Sequence, residues 1–151
     1  MIRIITVGNI KEKYLKDAID EYKKRISKYT NLEIIELEDE GLVEKEKAIK
    51  LEGNKINRYL NNKDYIITLE IEGKQLTSNE FATKIDQILI ENSNISFIIG
   101  GSYGISEEIK NKANMHLSFS KMTFPHQLFR VILLEQIYRA YKINNNESYH
   151  K

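Results

Sequence analysis

The chain contains no cysteine. That alone excludes disulfide scaffolds, thiolate zinc sites, iron–sulfur clusters and cysteine nucleophiles. It has a single proline, Pro125, and no Ser/Gly-rich tract, so nothing in it reads as a linker between domains. Its apolar runs are far shorter than the roughly 20 residues that a membrane helix needs. The amino terminus, Met1-Ile2-Arg3-Ile4-Ile5, has no small-residue cleavage site after it and reads as a strand, not a signal peptide. A cytoplasmic protein is the expectation. Neither sign of charge dominates: 23 basic and 22 acidic residues leave a net charge of +1. This argues against a strongly basic DNA-coating protein. The balance is uneven along the chain, at +4 over residues 1–30, −6 over 31–117 and +3 over 118–151. A polyanion could therefore bind a patch built from the two ends, although solvated helix faces explain the amino-terminal lysines equally simply.

What is present suits one folded domain. The 151 residues are 41% hydrophobic and 30% charged. A chain of this size buries roughly 68–70% of its unfolded surface without staples. Ile2 to Val7 is β-branched and ends at Gly8, which predicts a strand and a turn. Lys11 to Tyr29 carries apolar residues at helical spacing. Asn31 to Leu37 predicts a strand, and Leu42 to Leu60 a charged helix in which Gly53 costs up to about 1 kcal/mol relative to alanine. Tyr65 to Ile71 predicts a strand closed by Glu72-Gly73-Lys74. Thr77 and Ser78 supply an N-cap for a helix to Glu91. Ile95 to Ile99 is nearly all apolar, as at the centre of a sheet covered on both faces. A short helix from Ser106, a strand from His116 to Phe119 and a final helix with Pro125 in its first turn complete the chain. Strand and helix alternate throughout, which predicts an α/β fold with a mostly parallel sheet flanked by helices.

The chemistry concentrates in the last third. A strand that runs into Gly100-Gly101-Ser102-Tyr103-Gly104 lets backbone approach a ligand at a carboxyl-terminal strand end. The spacing is not G-x-G-x-x-G and no Walker lysine follows, so neither a Rossmann dinucleotide site nor a P-loop is supported. Two further strand exits, Leu69 to Lys74 and Leu117 to His126, mix backbone donors, small hydroxyls and apolar flanks, which suits a small amphiphilic ligand such as a nucleoside. An ordinary strand-to-turn exit is the plainer reading of each.

The final helix is apolar on almost every side from Leu128 to Tyr141. Such a helix must be covered on most sides, so a homodimer packed through it is expected, with a central helix of a monomer as the alternative. Glu135 and Arg139 form an i, i+4 pair. Arg130 has no such neighbour, and a guanidinium among apolar residues needs an answering group. An RNA phosphate is the favoured partner, because His126 shares that face; a distant acid is the other. His116 reads as structural, and His126 as either a helix cap or an RNA contact. Three scattered histidines without an acid cluster are a poor ligand set, so no metal is expected. The tail from Asn144 ends in Tyr149-His150-Lys151, groups that stack on bases, exchange protons and meet phosphates.

Taken in order, Gly100-Gly101-Ser102-Tyr103-Gly104, Leu117-Ser118-Phe119-Ser120-Lys121-Met122-Thr123-Phe124-Pro125-His126, Arg130-Val131, Glu135 to Ala140 and the terminal Tyr149-His150-Lys151 closely resemble the ribosomal RNA large subunit methyltransferase H family (RlmH, formerly YbeA) of the SPOUT superfamily. The likeness spans the whole chain, including Val7-Gly8, Thr68-Leu69-Glu70 and Gly73-Lys74. Asn9 departs from the basic residue often found after the first glycine, and Ser148 from the proline or alanine expected before the final Tyr-His. The resemblance implies one SPOUT domain over residues 1–151 and a SPOUT-type α/β knot, with a deep carboxy-terminal trefoil, an exception to the rule that chains do not thread loops. It implies a homodimer that uses S-adenosyl-L-methionine to methylate N3 of a pseudouridine in 23S rRNA of the assembled ribosome. It places the cofactor against Leu69, Gly100, Phe119, Ser120, Lys121, Met122, Thr123 and Phe124.

Within that expectation His150, arriving from the second subunit, is the candidate base for the N3 proton. Tyr149 stacks on or bounds the target base, and Arg130 and Lys151 hold phosphate or a developing anion. Competing readings are a knotted methyltransferase for transfer RNA, a non-catalytic ribosome-binding factor and a nucleotide hydrolase.

Overall fold

The computed structural model describes all 151 residues. Its elements are β1 (Ile2–Val7), α1 (Lys13–Ile26), β2 (Leu32–Leu37), α2 (Lys45–Asn57), β3 (Tyr65–Gln75), α3 (Ser78–Glu91), β4 (Ile95–Ile99), α4 (Glu107–Lys112), β5 (Met115–Ser118) and α5 (His126–Asn144). The five strands form one sheet in the order β2-β1-β4-β3-β5, and every pairing is parallel. The α/β architecture follows the alternation in the sequence. β4 is the central strand and all five of its residues are buried. That is why Ile95-Ser96-Phe97-Ile98-Ile99 carries almost no polar side chain.

Helices cover both faces of the sheet. Ile2, Ile4, Phe97 and Ile99 pack with residues of α1, α3 and α5, including Leu15, Ile85 and Leu133. The opposite residues Ile5, Val7 and Ile98 pack with Ile56 of α2 and Ile109 of α4. Alternation along β1 and β4 thus feeds two apolar layers. α3 starts with the full capping box anticipated at Thr77, whose hydroxyl accepts from the Glu80 N–H while the Glu80 carboxylate accepts from the Thr77 N–H.

Three expectations change. β3 does not close at Glu72-Gly73-Lys74; it continues to Gln75 after a register shift against β5 between Leu69 and Lys74. Gly73 makes this possible, because a Cβ there would lie 2.8 Å from the backbone of His116 and Leu117. Pro125 stands at the N-cap of α5, not inside its first turn. The all-round apolar character of α5 is largely met within the chain. α5 packs against both α1 and α3, burying Leu133, Leu134, Ile137 and Ala140. Leu128 remains 40% exposed, with Phe129, Val131 and Ile132 half-buried beside it.

Gly53, costly inside a helix, also finds its reason. A Cβ there would lie 2.6 Å from Ser106 Oγ. Ser106 caps α4 by accepting from the Ile109 N–H. α2 therefore presses on the end of the glycine loop where that loop turns into α4.

Candidate functional site

Three strand exits converge at the carboxyl edge of the sheet. They enclose a cavity of about 440 Å³, within the range of small-molecule sites. β4 contributes Ile99 and the loop Gly100–Ile105. β3 contributes Leu69 to Glu72. β5 and its exit contribute Leu117 to Ser120 and Met122 to Phe124, and α5 adds His126 and Phe129.

The glycine loop owes its shape first to its own packing. The Gly104 N–H donates to Gly101 O (3.0 Å), and Gly104 has φ +92°, a left-handed conformation that favours glycine. The loop folds back so tightly that a Cβ on Gly100 would lie 2.8 Å from Gly104 backbone. A Cβ on Gly101 would lie 2.9 Å from Glu52 Oε1 of α2. The nearest neighbours of Gly100 and Gly101 are thus protein, as in a tight turn between strand and helix.

The second loop is held by aromatic packing. Phe119 meets Phe129 edge-on (5.1 Å between centroids) and Phe124 stacks on Phe129 (6.1 Å). Phe119 also meets Phe81 of α3 edge-on. These anchors leave the backbone between them free. Of the N–H groups from Phe119 to Phe124, only that of Met122 has a partner in the chain, Ser120 Oγ at 3.0 Å. The Ser118 hydroxyl donates to Ser120 O (3.1 Å), and the other carbonyls of the loop accept no bond. The cavity thus pairs apolar walls with uncommitted backbone donors and acceptors.

A polar cluster sits on the β3 side. Thr68 lies opposite His116 in the β3–β5 register. The Thr68 hydroxyl donates to Glu70 Oε2 (2.6 Å), and His116 Nδ1 meets the same carboxylate oxygen and lies 2.8 Å from Thr68 Oγ1. Lys110 reaches Glu70 Oε1 at 3.5 Å. Burial pushes the Glu70 carboxyl up, but hydrogen bonds from Thr68 and His116 outweigh it and hold Glu70 below the ordinary carboxylate range. The structural reading of His116 stands, and Glu70 is what it serves. Sequence could not place these groups together, because Glu70 and His116 stand 46 positions apart and only strand pairing closes that gap.

Seven of the eight anticipated cofactor residues line the cavity: Leu69, Gly100, Phe119, Ser120, Met122, Thr123 and Phe124. Lys121 is exposed and lies outside the lining. His126 lines it too and makes no cap bond. Burial, then the Arg130 charge, push His126 below the ordinary imidazole range, with Glu52 acting in the opposite sense.

Arg130 lies elsewhere, and its partner is the distant acid. Its side chain is 3% exposed and donates to Glu36 Oε2 (2.9 Å), Gly8 O (2.6 Å) and Val7 O (3.2 Å). Burial lowers its pKa and Glu36 opposes that shift. The guanidinium thus ties α5 to the end of β1 and faces no solvent-borne phosphate. The reason is topological: β1 and β2 are neighbours, so the Val7-Gly8 turn and Glu36 meet the same turn of α5.

The tail is also away from this cavity. The Tyr149 hydroxyl donates to Glu135 Oε1 (3.1 Å), and its ring packs edge-on against Tyr138 (5.0 Å) and under the Arg139 guanidinium (4.7 Å). Burial and then the Glu135 charge push its phenol up to about 12. His150 Nδ1 lies 3.0 Å from Arg139 Nη1. Neither residue lines the chain's own cavity.

A family model described as "Predicted SPOUT methyltransferase" matches residues 1–150. The chain belongs to the SPOUT methyltransferase family. Among curated relatives, the ribosomal RNA large subunit methyltransferase H of Clostridium botulinum (strain Alaska E43 / Type E3) is 54% identical, with 99% of each chain covered. The protein of the same name from Clostridioides difficile (strain 630) is 55% identical at the same coverage. A probable methylase family protein from Haemophilus influenzae Rd KW20 shares the fold at a TM-score of 0.57 and 14% identity, over 99% of this chain and 70% of that one. As a SPOUT methyltransferase the chain is an enzyme. No helix of this SPOUT methyltransferase is long and apolar enough to cross a membrane.

Proposed function

We propose that this SPOUT methyltransferase transfers the methyl group of S-adenosyl-L-methionine to N3 of a pseudouridine in 23S rRNA of the assembled ribosome, working as a homodimer with the family's carboxy-terminal knot. The observation that carries the reading is the cavity at the β3, β4 and β5 exits, lined by seven of the eight residues expected to hold the cofactor. The near-full-length relatives and their printed names support the substrate class.

The residues present fit the cofactor. Leu69, Ile99, Leu117 and Phe124 offer apolar surface for adenine faces. The free N–H and C=O groups between Phe119 and Phe124 can answer adenine, ribose and amino-acid polar atoms. S-adenosyl-L-methionine supplies an activated methyl on a sulfonium when bound. The chain's task is then alignment, which can contribute several of the roughly 7–11 kcal/mol available from proximity.

His150 of a second copy is the base for the N3 proton, worth about 10²–10⁴ in rate. In the single chain its Nδ1 accepts from Arg139, which leaves the ring proton on Nε2. The ring serves as a base once it swings off Arg139. Tyr149 keeps its phenol proton and bounds the target base. Lys151 meets phosphate. Arg130 acts indirectly, by fixing the Val7-Gly8 turn.

The test is to incubate the protein with methyl-labelled S-adenosylmethionine and ribosomes that carry or lack pseudouridine, then map the labelled nucleotide. Label at one pseudouridine, absent from ribosomes without it, is the expected result. Label on transfer RNA, or none with tight ribosome binding, would favour the competing readings.

A further inference from the structure

An acid-walled cavity is a strange place for an enzyme to receive RNA. Among the ionisable residues that line it, Glu70 and Glu72 are acids and Lys110 is the one ammonium. Lys110 is moreover shared, at 3.5 Å from Glu70 and 3.6 Å from Glu107. His126 is pushed toward its neutral form. The β3 wall therefore holds two carboxylates against one shared ammonium, an excess of negative charge that repels phosphate and attracts a cation.

Glu72 is exposed and screened. The Glu70 side chain is only 12% exposed. Thr68 Oγ1, itself fully buried, and His116 both engage its Oε2, so the carboxylate is fixed in place before anything binds.

We propose that Glu70 is a charge-reading residue, whose fixed carboxylate holds the sulfonium form of the cofactor in preference to the neutral thioether left after methyl transfer. This rests on the cofactor reading above. The two molecules share adenosine, amino group and carboxylate. They differ by one methyl and one positive charge, so shape alone discriminates poorly between them. A fixed anion on the cavity wall discriminates by Coulomb attraction, and after screening by the Lys110 ammonium 3.5 Å away and by solvent in the open cavity this amounts to about tenfold in affinity. The same device lets the product leave and the next cofactor enter.

Calorimetric titration of the intact protein tests this with three ligands: S-adenosylmethionine, S-adenosylhomocysteine, and an analogue in which a protonated amine replaces the sulfonium. Glu70→Gln is expected to weaken the two cationic ligands about tenfold and to leave S-adenosylhomocysteine within about twofold. Equal weakening of all three overturns the proposal, since Glu70 would then be shaping the cavity without reading charge. Weakening of S-adenosylmethionine alone, with the amine analogue unaffected, overturns it too. Should Glu70→Gln fail to fold by circular dichroism, Lys110→Met takes its place. Removing the competing ammonium should raise the preference for the cationic ligands, and an unchanged preference sinks the idea. A wild-type protein that binds none of the three would defeat the cofactor reading itself, a result separable from any ratio between ligands.

Discussion

Replacing Arg130 by methionine separates two roles that the sequence left open. In the structure the guanidinium is 3% exposed and supplies hydrogen bonds to Glu36, Val7 and Gly8. Methionine keeps most of the apolar stem and removes every donor. The Val7 and Gly8 carbonyls lose their charged donor, and each such bond is worth roughly 1.5–3 kcal/mol. The Glu36 pair adds less, because the Glu36 side chain is 41% exposed and solvent screens it. Bonds from one guanidinium do not add fully, and the net destabilisation is about 3–5 kcal/mol, the range for breaking a buried pair. For a chain of this size that lowers the melting temperature by roughly 6–20 °C. Arg130→Lys should recover little, since an ammonium cannot span the carboxylate and two carbonyls at once. Scanning calorimetry of the free protein is the assay. An Arg130→Met protein that melts like wild type but loses affinity for ribosomes would refute the reasoning, and would restore the phosphate contact that the sequence suggested.

Other perturbations probe the neighbouring elements. Gly53→Ala should destabilise by about 1–3 kcal/mol despite better helix propensity, because its Cβ meets Ser106 Oγ; urea unfolding measures this, and Ser106→Gly in the same chain should recover part of the loss. Glu70 titrates below its ordinary value of 4.5 in the folded state. Its contribution is therefore full above the unfolded pKa and is lost as pH falls through the folded one; Glu70→Gln should flatten the melting-temperature profile below about pH 4.5 and leave pH 7 to 9 parallel to wild type. Phe97, fully buried in β4 against both Phe81 and the sheet, should cost about 3–5 kcal/mol as Phe97→Ala in denaturant titration.

The fold was largely legible because its signals are local. Period-two and period-3.6 patterns survive in any chain that must bury one face, so β1, β4 and α3 fall where the pattern puts them. The extension of β3 past Gly73 was not legible: Glu72-Gly73-Lys74 carries the composition of a turn, and only the backbone of β5 shows that the glycine serves a close approach. Arg130 illustrates the limit for charged groups. Its need for a partner is visible in the sequence, but Glu36 stands 94 positions away and nothing local points to it. Glu70 and His116 hide in the same way, on separate strands that become a pair through register alone. The cavity-forming loops were found because glycine and hydroxyl composition marks them, while the reason for Gly101, a buried carboxylate on α2, comes from the opposite layer.

Length along α5 bears on how the site is completed. The cavity touches α5 at His126 and Phe129, whereas His150 is held at Arg139. Arg139 lies ten positions along the helix from Phe129, the nearer of the two, about 15 Å at 1.5 Å per residue. A chain's own tail therefore cannot sit on Arg139 and serve its own cavity at once. A second copy packed on the uncovered strip at Leu128 has no such constraint. Mixing two inactive variants decides between them. One keeps the cavity and loses the proposed base through His150→Ala; the other keeps the tail and blocks the glycine loop through Gly100→Val. Refolded together at equal amounts, half the dimers are mixed, and one site in each mixed dimer has an intact cavity and an intact tail. Methyl transfer should return to about a quarter of wild type. No recovery, with mixed dimers present by native mass spectrometry, would mean that the tail unpins and acts within its own chain.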